Sequence, residues 1–135
     1  ESGPYDRGMT ADDLEYRQGV PVLMAAPDGP ALSSDGDALS LIVSAGGQGA
    51  ELVVLPVERL GDDFFELSTG VAGAIAQKFV NYRVRLAILG DISDRTEANK
   101  PLRDFVLETN RGRQLWFVAD TDELDKRLAA ESDRK

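Results

Sequence analysis

Three acidic residues follow apolar runs of the sequence, at the points where parallel strands would end. Glu58 comes shortly after LVVLP, Asp91 directly after LAILG, and Asp120 directly after WFVA. The carboxyl ends of parallel strands meet at one side of a sheet, where open α/β sheets bind ligands, and Ser93 is expected at the same side. Such carboxylates could bind a divalent cation or raise one another's pKa for acid–base chemistry. They could instead be solvated loop residues and helix caps, and Asp120 stands where a cap belongs.

The composition limits the chemistry that these residues can do. The chain of 135 residues has no cysteine and no histidine, which excludes disulfides, thiolate nucleophiles, zinc-finger sites and histidine-dependent general bases. No cofactor motif is present, and because the acidic residues lie on separate loops, weak or no divalent-metal binding is expected. The net charge of −9 repels phosphate backbones and anionic lipids, so neither nucleic acid nor a membrane is an expected partner.

The stretch FFELSTGVAGAIAQKF places two hydroxyls and two glycines at the predicted start of a helix. Ser68 or Thr69 could cap this helix by accepting a hydrogen bond from a free backbone N–H. Gly70 and Gly73 could then let the helix pack closely against its surroundings. The same arrangement could bind an anion or present a hydroxyl to a kinase. It is not a phosphate-binding loop of the G-x-x-x-x-G-K-[ST] type, because Lys78 lies far along the helix.

The strands that must position these residues are predicted from two kinds of pattern. Alternating polar and apolar residues around Gln18-Gly19 predict a hairpin, and Pro21 and Pro27 predict that its second strand is short or at an edge. Three apolar runs, LVVL, LAIL and LWFV, predict parallel strands buried on both faces at the centre of the sheet, with the hairpin outside them.

The helices alternate with these strands. Four are predicted: one that begins at Ser34 or Asp35 and ends at Gly46-Gly47, one over 68–82, one capped by Asn99 and stopped by Gly112, and one over TDELDKRLAA. The order β-β-α-β-α-β-α-β-α predicts a single α/β domain with a mainly parallel sheet and an N-terminal hairpin.

The length predicts one domain. Residues 1–10 are interpreted as a flexible leader or a remnant of an expression vector, residues 11–130 as the α/β domain, and residues 131–135 as a tail. No apolar run approaches the roughly 20 residues that a membrane helix needs, and a cytoplasmic location is expected.

Polar residues at the ends of two predicted helices form another candidate surface. The segments QKFVNYR and ETNRGR combine opposite charges with amides, and arginine and tyrosine are frequent anchors of protein interfaces. Alternatively, these segments are ordinary helix C-termini, with asparagine ending the helix and cations near its negative end. The candidate interface residues are Gln77, Lys78, Tyr82, Arg83, Glu108, Asn110 and Arg111.

The segments DDFFELSTGVAGAIAQKFVNYRVRLAILGDIS and LRDFVLETNRGRQLWFVADTDELDKRL resemble the bacterial domain-of-unknown-function family 4180. Its members share a run of the type FF-x-L-x-T-G-x-A-G-x-x-x-Q-K-F-x-N-Y-R, a strand ending in Gly-Asp, and an E-[ST]-N segment before the final strand. The resemblance is close from Asp62 to Leu128 and looser over residues 11–61, through DALSLI and Glu58. It implies a small bacterial cytoplasmic α/β protein and supplies no activity.

The order of elements is also similar to the STAS domain of anti-sigma-factor antagonists. Many of these domains carry D-S-[ST]-G-[LV] at the start of the helix after the third strand, and LSTGVAG occupies that place here, with Leu67 instead of the aspartate. This similarity implies a regulatory hydroxyl at Ser68 or Thr69. Sequences of family 4180 often have lysine at position 68, which favours Thr69.

Two functions follow from these observations. The first is a non-enzymatic regulatory or protein-interaction domain of the STAS-like kind, whose protein partner could be a second copy of the chain. The alternative is a small enzyme or ligand-binding protein that uses Glu58, Asp91 and Asp120. A pocket with converging carboxylates at the carboxyl ends of the strands would favour the alternative, and a closed, solvated surface there would favour the first.

Overall fold

The computed structural model describes residues 12–133, so the predicted leader at residues 1–10 lies outside the described residues. The five strands are β1 (Asp13–Arg17), β2 (Val20–Met24), β3 (Leu52–Pro56), β4 (Arg85–Leu89) and β5 (Leu115–Val118). The six helices of the described residues are α1 (Asp35–Gln48), α2 (Asp62–Phe65), α3 (Val71–Asn81), α4 (Ser93–Ala98), α5 (Lys100–Asn110) and α6 (Thr121–Asp133). The predicted fold class, a single α/β domain with a mainly parallel sheet, is confirmed.

The five strands form one sheet and lie in it in the order in which they occur along the chain. β1 runs antiparallel to β2, and β2 to β5 run parallel to one another. The predicted hairpin is confirmed, and its turn residues Gln18 and Gly19 have φ values of 51° and 80°, which suit the twist of a two-residue turn. β2 is short, as its prolines predict, but it lies inside the sheet. Pro21 is tolerated there because the register with β3 begins at Val22, one residue later, and the Pro21 carbonyl still accepts a hydrogen bond from Glu51 N (2.9 Å).

β5 lies at the free edge of the sheet, so the prediction that LWFV lies at the sheet centre is wrong. All four of its side chains are buried, and for that reason its sequence looks like that of a central strand. The outer backbone of β5 is satisfied by one side chain instead of a neighbouring strand. Phe117 N–H donates to Asn110 Oδ1 (2.7 Å), and Asn110 Nδ2 donates to the Phe117 carbonyl (3.2 Å). This amide covers part of an edge that would otherwise offer unpaired backbone groups.

The two faces of the sheet pack against different helices. On one face, strand residues such as Val53 and Ile88 pack with α1, α3 and α5. On the other face, Val54 and Trp116 pack with apolar residues of α6. Right-handed crossovers between consecutive parallel strands put their helices on the same side of a sheet, so the second face is left for α6.

Two helices begin where the sequence predicts a capping side chain. Ser34 Oγ accepts from Asp37 N (3.3 Å) at the start of α1, and Asn99 Oδ1 accepts from Leu102 N (3.1 Å) at the start of α5. The predicted end of α1 at Gly46-Gly47 is wrong, because the helix continues to Gln48 and Gly49 takes the left-handed conformation (φ 78°) that ends it.

Two further helices differ from the predicted ones. α4 is a short additional helix between β4 and α5, and α6 extends to Asp133, beyond the predicted segment TDELDKRLAA. None of the described helices is both long and apolar enough to cross a bilayer.

Asn110→Ala is expected to lower the free energy of unfolding by about 2 kcal/mol, because it removes two hydrogen bonds of roughly 1 kcal/mol each from the backbone of Phe117. Urea denaturation measures this change, and hydrogen exchange should become faster at the Phe117 amide. Asn81→Ala is the matched control, because the Asn81 side chain bonds only the exposed Gln77 amide (2.9 Å) among the described residues. Equal destabilisation by the two variants would contradict the role given to Asn110.

Candidate functional site

A groove of about 630 Å³ opens at the carboxyl end of the sheet, where β2, β3 and β4 end. Its floor is largely apolar and consists of the last residues of these strands and the loops that follow them. Three exposed carboxylates, Asp13, Glu58 and Asp91, line it and define this acidic groove. The full lining is Asp13, Met24, Ala25, Ala26, Pro27, Val54, Pro56, Val57, Glu58, Leu89, Gly90 and Asp91.

The structure brings together two of the residues predicted for this end of the sheet, Glu58 and Asp91. Asp13 joins them although the sequence analysis did not select it. Asp13 belongs to β1, and the antiparallel register places it opposite Met24, at the carboxyl end of β2. Nothing in the local sequence around Asp13 marks it as a site residue, because its position depends on the strand pairing.

Ser93 and Asp120 do not line the groove, and both have local roles. Ser93 N–H donates to Asp91 Oδ1 (2.9 Å). Asp120 Oδ1 accepts from Glu123 N (2.9 Å), while Glu123 Oε1 accepts from Ala119 N (2.9 Å). This reciprocal pair is a capping box at the start of α6, so Asp120 holds the helix.

The hydrogen bonds between Asp91 and Ser93 affect the charge state of Asp91. The hydrogen bond from the backbone N–H of Ser93, followed by a bond with the Ser93 side chain, lowers the pKa of Asp91 below its ordinary value. The carboxylate is therefore ionised at neutral pH and is unsuited to act as a general acid. Among residues 12–133, no group of three acidic side chains is placed to hold a metal ion.

Arg59 fixes one wall of the acidic groove, and the sequence analysis missed it. Its side chain is buried, and it donates from Nε to the Pro30 carbonyl (2.6 Å) and from Nη1 to the Ala26 carbonyl (2.8 Å). The loop after β2 is thereby held against the turn after β3. Arginine is rarely buried, and no pattern in VERL distinguishes Arg59 from an exposed residue.

The hydroxyl candidates lie in a turn before α3. The helix begins at Val71, three residues later than predicted, and Gly70 precedes it with a φ of 81°. Thr69 Oγ1 accepts from Val71 N (3.2 Å) and lies 2.7 and 2.8 Å from the carbonyl oxygens of Asp63 and Glu66, to which it donates its hydrogen. Thr69 therefore closes the turn that links α2 to α3.

Ser68, Gly70 and Gly73 are exposed. Ser68 is exposed and makes no hydrogen bond to a residue within the described part of the chain. A Cβ added to Gly70 or Gly73 would meet no atom within 4 Å. The prediction that these glycines allow close packing is therefore wrong, because both face open space.

The seven candidate interface residues lie at or just after the ends of α3 and α5. Asn110 and Arg111 line a cavity beside β5, and Glu108 lines a smaller one between α3 and α5. Gln77, Tyr82 and Arg83 are exposed at the end of α3, and Lys78 is half-buried. Asn110 has the structural role at the edge of β5 described above.

A family model described as "Domain of unknown function (DUF4180)" matches residues 17–128. The chain belongs to this family. The match confirms the resemblance seen in the sequence, and the family's description gives no activity. Searches of curated proteins and of solved structures found no match. The similarity to STAS domains therefore stays a prediction.

The residues that carry the resemblance to the DUF4180 family have structural roles in this chain. A Cβ on Gly90 would collide with Val57 Cγ1, so the Gly-Asp pair lets Val57 pack under the groove while Asp91 follows at its rim. The threonine of the T-G pair is Thr69, which closes a turn, and the asparagine of the E-T-N segment is Asn110, which bonds the edge strand.

Thr69→Ala is expected to lower the free energy of unfolding by about 1 kcal/mol, because the turn loses the hydroxyl bonds. Thr69→Asp should lower it at least as much, since a carboxylate cannot donate and would lie beside two carbonyl oxygens. Thr69→Ser should stay close to the wild type, and Ser68→Ala is the control at the neighbouring exposed hydroxyl. Chemical denaturation measures all four, and wild-type stability of Thr69→Asp would show that Thr69 acts only as an acceptor.

Arg59→Met is expected to lower the free energy of unfolding by about 2–4 kcal/mol, because two carbonyl groups lose their donor while the side-chain volume stays similar. Arg103→Met, at an exposed position of α5, should change it little. Urea denaturation of the two variants gives the comparison. If they are equally stable, the two hydrogen bonds of Arg59 do not hold the groove wall.

Proposed function

We propose that this protein is a non-catalytic binding domain whose acidic groove holds a cationic segment of a partner protein. The observation that carries the proposal is the combination of an apolar floor with three exposed carboxylates, Asp13, Glu58 and Asp91. The groove's volume of about 630 Å³ falls in the range of ligand-binding pockets, and it lies where open parallel sheets bind their ligands.

The unpaired charge of the groove supports a cationic ligand. Among residues 12–133, no lysine or arginine forms an ion pair with Asp13, Glu58 or Asp91. Like charges on one rim disfavour one another, and the net charge of the chain, −9, adds to the attraction for a cation.

The floor of the groove supports a lysine or arginine side chain over a small inorganic cation. Met24, Val54 and Leu89 offer apolar surface below the carboxylates. Lysine and arginine carry an apolar stem and a charged end, so the stem could cover this floor while the charge meets the rim. A metal ion would gain nothing from the apolar surface.

A binding role also agrees better with the side-chain chemistry than catalysis does. The chain has no histidine or cysteine, and the lowered pKa of Asp91 leaves it a permanent anion at neutral pH. By the criterion set from the sequence, a groove with carboxylates at the carboxyl ends of the strands favours the alternative, an enzyme or ligand-binding protein. This proposal takes the ligand site from that alternative and the protein partner from the first function. A second copy of the chain is one partner of this kind, and sedimentation equilibrium of the free protein tests for a homodimer.

The proposal is tested with a short acetylated peptide that contains two lysines, titrated into isotopically labelled protein. Amide resonances of groove residues such as Ala26, Val57 and Asp91 should shift in a saturable way. The same peptide with norleucine in place of lysine keeps the stem without the charge, and it should bind at least about tenfold more weakly, the equivalent of one charge-assisted contact.

Glu58→Gln and Asp91→Asn should each weaken lysine-peptide binding several-fold. Glu108→Gln is the control that removes the same charge from an exposed position far from the groove. If all three variants weaken binding equally, the peptide responds to the net charge of the protein and not to the acidic groove. Shifts that map elsewhere, or no saturable shifts, would contradict the proposal.

The STAS similarity supports a second role, a regulatory hydroxyl, and the geometry favours Ser68 for it. Ser68 is exposed and free of hydrogen bonds to the described residues, whereas the Thr69 hydroxyl is used in the turn. Modification at Ser68 would leave the turn hydrogen bonds intact.

A further inference from the structure

A second cavity, of about 610 Å³, opens at the amino end of the sheet beside the first residues of β5. Three arginines line it, Arg111, Arg113 and Arg127, together with Trp116 and Glu131, and these residues define the arginine pocket. Its lining thus carries more positive than negative side chains in a chain whose net charge is −9. Outside the lining, Glu108 Oε1 lies 3.6 Å from Arg111 Nη1, in an exposed pair that is worth little free energy.

Arg127 is held in place but is poorly supplied with acceptors. Its Nη1 donates to the Asn110 carbonyl (3.0 Å), and its guanidinium lies over the Trp116 ring (5.3 Å to the centroid). Its Nε is buried and has no hydrogen-bond partner, and Glu123 Oε2 is 3.8 Å away, too far for a hydrogen bond. A buried N–H without an acceptor costs free energy, so the hydrogen-bonding capacity of Arg127 is not saturated within the described residues.

Trp116 gives the pocket a rigid base. The side chain is buried, and its Nε1 donates to the Gly112 carbonyl (2.8 Å). Arg85 lies over the same ring system, 4.6 Å from the centroid. Arg85 does not line the pocket, but the Arg127 guanidinium does, and the indole positions it before any ligand arrives, which reduces the entropy lost on binding.

Glu131 is the one carboxylate of the pocket lining, and two arginines share a single oxygen of it. Arg85 Nη2 lies 2.9 Å and Arg113 Nε 2.7 Å from Glu131 Oε2. Burial raises the pKa of Glu131, but the hydrogen bonds and charges of Arg113 and Arg85 outweigh burial and keep the pKa below its ordinary value. One ionised carboxylate thus faces two guanidinium groups, so one positive charge stays unbalanced. Glu131 uses only the Nε of Arg113, and the other N–H groups of Arg113 can donate to a ligand.

We propose that the arginine pocket binds a phosphate-bearing small molecule. The planar fork of a guanidinium matches the oxygens of a phosphate group, and several such groups converge on one cavity. The cavity's volume, about 610 Å³, suits a small metabolite. This site is separate from the acidic groove, which lies at the opposite end of the sheet, and the two proposals can fail independently.

The test uses Trp116, the single tryptophan of the chain, as a fluorescent reporter inside the pocket. Inorganic phosphate and glycerol 2-phosphate are titrated at constant ionic strength, with acetate and sulfate in parallel. Both phosphate compounds should change the emission in a saturable way at concentrations below about 1 mM, the equivalent of a modest specific affinity. Acetate should bind at least about tenfold more weakly, whereas sulfate, a tetrahedral dianion like phosphate, should bind comparably to inorganic phosphate.

Three variants separate the pocket from general charge effects. Arg113→Gln should weaken phosphate binding by about tenfold, the effect of losing a charge-assisted contact, and it should fold normally because the Arg113 side chain is 71% exposed. Glu131→Gln should tighten binding, because it removes the one carboxylate of the lining and releases Arg113 from it. Arg103→Gln removes a positive charge from an exposed position on α5 and should leave the affinity unchanged.

Each contrary result overturns the proposal. Emission that follows ionic strength alone, or equal weakening by Arg113→Gln and Arg103→Gln, would mean that the pocket is not a binding site. If acetate binds as tightly as phosphate, the pocket recognises carboxylates in general and the proposed phosphate ligand is wrong. Circular dichroism of each variant confirms that it is folded before its affinity is compared.

Discussion

The parallel hydrogen-bonded ladder from β2 to β5 is the constraint on which the rest of the structure depends. It aligns four strands in one direction, so every loop that leaves a strand lies at the carboxyl end of the sheet and every loop that enters one lies at the amino end. The acidic groove occupies the first end and the arginine pocket the second. The carboxylates of the groove and the arginines of the pocket therefore lie at opposite ends of the sheet and do not form ion pairs with each other.

The ladder alone does not shape these two ends, because loops need their own hydrogen bonds. Single side chains bonded to backbone groups supply them. Arg59 holds the loop after β2, Asn110 closes the edge of β5, and Asp120 begins α6. Each satisfies backbone groups that would otherwise be unpaired. Because they act on the backbone, these residues fix the shape of the loops and edges around the acidic groove and the arginine pocket.

The sequence predicts those parts of the fold that depend on neighbouring residues. The hairpin follows from Gln18-Gly19, and α5 begins where Asn99 predicts it, since turns and caps are made by residues close along the chain. The edge position of β5 could not be predicted. An apolar run indicates that both faces of a strand are buried, but it does not indicate whether the strand has a neighbour on each side. α3 begins late because the left-handed Gly70 and the Thr69 turn precede it.

The sites were predictable to a smaller degree, for the same physical reason. Glu58 and Asp91 follow strands directly, so their place at the carboxyl end could be inferred from topology. Asp13 and Arg59 act on segments distant in sequence, and only the folded chain brings them to the groove. The arginine pocket was missed because Arg113 lies in the loop before β5 whereas Arg127 and Glu131 lie on α6, and their meeting depends on the path of α6.

The central claim is that the two ends of the sheet carry separate sites of opposite charge. It is tested most directly by measuring phosphate affinity, through Trp116 emission, with and without a saturating concentration of the lysine peptide. The strands separate the sites by about 15 Å, the span of four to five residues, which exceeds the Debye length of about 8 Å at physiological salt. If the sites are separate, the peptide should change the phosphate affinity by less than about twofold. The coupling free energy would then lie below the usual allosteric range. Displacement of phosphate by the peptide would contradict the account, because it would place both ligands in one site.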